Sequence, residues 1–108
     1  MTTSYVVRSF DDFKALVKAG LIETVDDLDR VIKETYPDGG LDAQRTKPAY
    51  IGFNLNRFYY SDRIAANLHA CRDAMNGVVG YSYGFKFDPH VITHKDDDGT
   101  ETYEVWTN

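Results

Sequence analysis

A single cysteine, Cys71, stands in 108 residues. No internal disulfide can form, so the fold rests on its core, and the chain suits a reducing compartment. Long apolar runs are missing too: none approaches the roughly 18 residues that a membrane-spanning helix needs. The N-terminus, Met-Thr-Thr-Ser-Tyr-Val-Val-Arg, lacks the apolar stretch of a signal peptide. These absences point to a soluble protein of the cytoplasm, or of a host's cytoplasm if the chain is phage-encoded. Positive charge is scarce. Twelve Lys and Arg against 17 Asp and Glu leave a net charge of −5. Generic binding to duplex nucleic acid is disfavoured, because it relies on cations neutralising phosphates. The acidic residues fall in short runs, Asp11-Asp12, Asp26-Asp27-Leu28-Asp29 and Asp96-Asp97-Asp98, too interspersed for a DNA mimic.

Catalytic and cofactor motifs are absent as well. There is no Gly-x-Ser-x-Gly, no His-Glu-x-x-His and no P-loop. Gly77, Gly80 and Gly84 do not match the dinucleotide fingerprint, which lies between a strand and a helix. His90 and His94 sit in a β-like run, where four residues span about 13 Å, too far to share one zinc. His94 is instead placed to pair across a hairpin with Glu101 or Tyr103. Asp96, Asp98 and Glu101 resemble a calcium loop only loosely. Such a loop needs Gly at its sixth position and a carboxylate at its twelfth, and here Glu101 and Thr107 stand there. Cys71 and His69 are two residues apart on a predicted helix and so point about 200° apart. Cys71 reads as a buried, inert thiol. No enzyme, metal or cofactor is expected.

What the chain does have is aromatic side chains: 14% of residues, eight of them Tyr. Tyr joins apolar area to a hydroxyl and suits interfaces. Residues 78–87 alternate with strand period. Val79, Tyr81, Tyr83, Phe85 and Phe87 share one face. Val78, Gly80, Ser82, Gly84 and Lys86 share the other. Burial of such large side chains is worth about 1.5–3 kcal/mol each, which directs the aromatic face to the core. The bare face, with Ser82 and Lys86, is then a candidate docking surface.

Elsewhere the reading is local. Ser4–Arg8 is a short β-prone run. Ser9 caps a helix that ends at Gly20, and Thr24, with Asp27 three residues on, caps a second that stops before Pro37. Asp38-Gly39-Gly40 is a turn and residues 41–48 a loop. Ala49–Leu55 reads as one strand, with Ala49, Ile51, Phe53 and Leu55 inward and Tyr50, Gly52 and Asn54 outward. Arg57-Phe58-Tyr59-Tyr60 links it to a helix at 62–76 that Ser61 caps, with an apolar stripe of Ile64, Leu68, Cys71 and Met75. A hairpin of 90–95 and 100–107 turns about Gly99. The order β-α-α-β-α-β-β-β, with most strands in the C-terminal half, predicts one compact α+β domain: a small antiparallel sheet of about four strands on two or three helices.

Gly80-Tyr81-Ser82-Tyr83 and Tyr50-Ile51-Gly52, with Asn54-Leu55, resemble parts of the ribonucleoprotein signatures of RNA-recognition motifs. That resemblance implies single-stranded nucleic-acid binding by stacking on Tyr50, Tyr81 and Tyr83. The chain departs from the pattern at Val79, Gly84 and Lys86, and its charge is of the wrong sign. The expected function is therefore a non-enzymatic protein-binding module, an inhibitor or adaptor that occludes a partner's surface, of the kind phages direct at host proteins. Its expected contacts are Arg57, Tyr59, Tyr60, Tyr50, Ser82, Lys86 and Trp106, with Phe58 in the core. Arg, Tyr and Trp are the residue types enriched at binding hot spots. Self-association through the bare face is a variant; nucleic-acid and small-molecule binding are the alternatives.

Overall fold

The computed structural model describes residues 5–52, 56–75 and 91–107. Ser9 caps α1 (Phe10–Lys18) by accepting from the Asp12 N–H, and Asp11 and Asp12 lie at its positive end. Gly20, at φ +76°, ends it: its N–H bonds Val17 O, and that of Leu21 bonds Leu16 O. Thr24 and Asp27 form a reciprocal capping box on α2 (Val25–Thr35). Both caps lie where local chemistry places them.

The sheet is antiparallel throughout. Its strands β1 (Tyr50–Ile51), β2 (Asn56–Tyr60), β3 (Val91–Lys95) and β4 (Glu101–Thr107) lie in the order β1-β2-β4-β3. Helix α3 (Arg63–Met75) separates β2 from β3 in the chain. Among the described residues, three α-helices and a four-stranded sheet, mostly C-terminal, make the expected α+β fold.

Four local expectations are corrected. Tyr5–Arg8 forms no strand; its backbone is held by α2 side chains instead. The Tyr5 N–H donates to Glu34 at 2.8 Å and the Val7 N–H to Thr35 Oγ1 at 3.0 Å. The expected single strand over 49–55 is interrupted. Tyr50 pairs with Arg57 and Ile51 with Asn56, so the chain reverses between them. Ile51 is accordingly not a core residue; it is 68% exposed. The segment Arg57–Tyr60, read as a linker, is instead β2, a central strand of the sheet. Finally, α3 is capped by Asp62 rather than Ser61: Asp62 Oδ1 accepts from the Ile64 N–H and its carbonyl from Ala66. The strand expected at 78–87, with Ser82 and Lys86, lies outside the described residues, as do Phe53, Asn54 and Leu55.

Helix α3 sits between two layers. Leu68 and Cys71 join a core made with Tyr5, Val7, Phe13, Leu16, Ile22, Leu28, Val31 and Ile32. On the opposite side Ala65, Ala66 and Ala70 pack with Tyr60, Tyr103 and Val105 of the sheet. Every residue from Ala65 to Cys71 is buried. The reading of one apolar stripe captured only the side facing α1 and α2. The alanines face the sheet, where small side chains let helix and strands approach closely. Asn67 is buried too, its amide donating to Arg63 O in the preceding turn.

Candidate functional site

Strand alternation divides the four residues Arg57–Tyr60 between two environments. Residues directly opposite in an antiparallel pair share a face. Phe58 faces Val105 and Tyr60 faces Tyr103, on the side turned to α3. Arg57 faces Trp106 and Tyr59 faces Glu104, on the outer side. Tyr50, opposite Arg57 on β1, joins them. Four of the seven expected contact residues, Tyr50, Arg57, Tyr59 and Trp106, thus meet on one sheet face, although Tyr50 and Trp106 lie far apart in the chain.

The arrangement is a ladder across three strands. The Arg57 guanidinium lies 5.9 Å from the Tyr50 ring centre and 5.5 Å from that of Trp106. Both distances are within cation–π range. Arg57 Nε is buried without a hydrogen-bond partner among the described residues. Tyr59 has its own cation, with Lys47 Nζ 4.1 Å from the ring centre. Tyr50 and Trp106 are 57% and 38% exposed, and with Ile51 they are the exposed large apolar side chains among the described residues.

Glu104 lies under this surface, buried between its neighbours. Burial pushes its carboxyl up, but hydrogen bonds from Trp106 and His94 and the charges of His94 and Arg57 outweigh that and hold it below the usual range. His94 Nε2 lies 3.3 Å from Glu104 Oε2. His94 pairs in register with Thr102 and reaches Glu104 diagonally, rather than the expected Glu101 or Tyr103. Beside Tyr59, a depression of about 440 Å³ is lined by Lys47, Tyr59, His94, Asp96, Thr102 and Glu104.

Tyr60 is corrected: it is fully buried and belongs to the core, not to a contact surface. Its hydroxyl lies 2.5 Å from His69 Nδ1. The His69 ring also packs on Phe58, with ring centres 4.5 Å apart. His69 Nε2 lies 3.0 Å from Asp73 Oδ2, close enough for an ion pair but without an aligned hydrogen bond. Burial raises the Tyr60 hydroxyl above its ordinary value, against the hydrogen bond and charge of Arg45. This Tyr60–His69–Asp73 chain was not anticipated. Its signal was the spacing of Ala65, Ala66, His69, Ala70 and Asp73, which share the α3 face opposite Leu68 and Cys71. As expected, His69 and Cys71 turn to different sides of the helix.

Asp29 of α2 and Arg72 of α3 form an ion pair at 2.6 Å. The hydrogen bond from Arg72 to Asp29 lifts the guanidinium further above its ordinary value. Among the described residues no cluster of three or more His, Cys, Asp and Glu could hold a metal ion. Among them, too, no helix is long and apolar enough to cross a membrane. No protein-family model, no curated protein and no solved structure matches the chain.

Proposed function

We propose that this chain is a non-enzymatic binding module that docks another protein on the outer face of its sheet. The observation that carries this reading is the row Tyr50–Arg57–Trp106. It sets an Arg between two partly exposed aromatic rings, the side-chain types that dominate binding hot spots. Rings that are already oriented lose little freedom on docking, so more of the contact energy appears as affinity. The cations of this face, Arg57 and Lys47, rest on aromatic rings. In a chain of net charge −5 that makes a local site for an acidic partner surface. The mechanism is occlusion: the module covers a patch that its partner needs, as an inhibitor or adaptor does.

Single-stranded nucleic acid is the second reading, because stacking platforms also interleave aromatics and cations on a sheet. Two features weigh against it. The rings of Tyr50, Tyr59 and Trp106 each already carry a cation against one face, and the overall charge repels a polyanion.

The test is affinity capture from the native cell with the wild type and with Arg57→Ala/Trp106→Ala. The identified partner is then re-bound from purified components. Loss of binding in a folded double variant supports the reading. A partner that binds both proteins equally overturns it. Salt-sensitive binding of labelled oligonucleotides that requires Arg57 and Trp106 transfers the face to nucleic acid.

A further inference from the structure

The inner side of the sheet carries a second feature, independent of the outer face. A cavity of about 410 Å³ opens between α2, α3, β2 and the turn after α2. That volume falls within the range of small-molecule sites. Gly39 and Gly40, at φ +89° and +62°, turn the chain back so that Leu41–Arg45 form its rim. A Cβ at Gly40 would meet nothing within 4 Å, so the rim is open there. Ile32, Leu41 and Phe58 supply apolar wall.

The polar groups of the cavity are of both signs. Arg45 and Arg72 contribute cations; Asp29, Asp42 and Asp73 contribute carboxylates; His69 stands among them. Asp42 holds Arg45 at 3.0 Å and Asp29 holds Arg72 at 2.6 Å. Two polar atoms of these lining residues make no aligned hydrogen bond: Arg45 Nε, a donor, and Asp73 Oδ2, an acceptor whose nearest cation-forming neighbour is His69 Nε2 at 3.0 Å. A buried polar atom left unsatisfied costs about 1–3 kcal/mol. One orphan belongs to a cation and the other to an anion. A ligand of a single charge answers one and is repelled at the other. A molecule carrying a carboxylate and an ammonium on a short apolar body answers both.

We propose that this cavity is a binding site for a small zwitterion of the free amino-acid class, its carboxylate toward Arg45, its ammonium toward Asp73 and its side chain against Ile32, Leu41 and Phe58. The Tyr60–His69 bond fixes the imidazole at the cavity wall and so keeps Asp73 in place. No reaction is implied.

The test uses three isosteric probes: L-leucine, 4-methylpentanoate without the ammonium, and 3-methylbutylamine without the carboxylate. Each is titrated into the ¹⁵N-labelled protein, with Tm followed in parallel. L-Leucine alone is expected to shift the amides of Gly40, Arg45, His69 and Asp73 and to raise Tm with concentration. Arg45→Gln and Asp73→Asn are each expected to abolish both effects; circular dichroism identifies the variants that keep the fold. Arg45 is the more exposed of the two and serves if the Asp73 variant unfolds. No response to L-leucine at its solubility limit overturns the proposal. So does an equal response to either singly charged probe, or binding that survives in a folded variant.

Discussion

Arg57 and Trp106 stand directly opposite each other across β2 and β4, with the guanidinium 5.5 Å from the indole ring centre. This pair joins a residue of the central strand to the last described strand of the chain. A double-mutant cycle of Arg57→Ala and Trp106→Ala measures the link. The expected coupling is about 0.5–1 kcal/mol by urea denaturation, as for a cation–π contact at an exposed site. A cycle that closes to zero would show that the two side chains are neighbours without attraction.

Tyr60→Phe removes one oxygen and leaves His69 Nδ1 buried with no partner from Tyr60. The expected cost is about 1–3 kcal/mol, the penalty of an unsatisfied buried group. Partner capture through the outer face is expected to be unchanged, since Tyr60 faces α3. Unchanged stability would mean that the hydroxyl does not hold the imidazole.

Ala66→Leu tests the contact of α3 with the sheet. Ala66 is fully buried among Tyr60, Tyr103 and Val105, and a larger side chain must push the layers apart. Overpacking of this kind costs about 1–3 kcal/mol, seen as a lowered Tm. A Tm equal to that of the wild type would show spare room between the helix and β4.

Glu104 gives the pH prediction. Its folded pKa is held below the ordinary value of 4.5, so the unfolded chain takes up the proton first as pH falls. The stabilisation it provides is present above that value and is lost as pH falls through the folded pKa. Glu104→Gln is expected to be less stable than the wild type at neutral pH, with the gap closing below about pH 4.5. A gap independent of pH would assign the effect to packing rather than charge.

Features set by neighbouring residues were legible in the sequence. The Ser9 cap, the Thr24–Asp27 box, the Gly20 stop and the hairpin about Gly99 need only a few adjacent positions, and all stand where expected. The phase of 49–60 was not legible. Alternation of Ala49, Ile51, Phe53 and Leu55 runs unbroken across the point where the chain reverses. In Phe58-Tyr59-Tyr60, three successive aromatics hide a period of two. Only the pairing with β4, more than forty positions away, assigns Phe58 and Tyr60 inward and Arg57 and Tyr59 outward. For the same reason the residues of the outer face could be chosen by type but not grouped. The inner chain through His69 escaped because α3 has two buried sides. The large apolar residues mark only the leucine and cysteine side, while the other side is made of alanines, a histidine and an aspartate.

The burial of α3 on both sides also bears on how this sequence can drift. From Ala65 to Cys71 no position is free to vary without repacking one layer or the other. On β2, by contrast, Arg57 and Tyr59 turn to the outer face, where they meet Tyr50, Trp106 and Lys47 rather than the layers around α3. Divergent copies of this chain should therefore keep a seven-residue signature of small and fitted side chains in α3. Under the docking role proposed above, positions 57, 59 and 106 are expected to change with the partner. A profile built on the helix rather than on the aromatic strands is the one that should retrieve distant relatives.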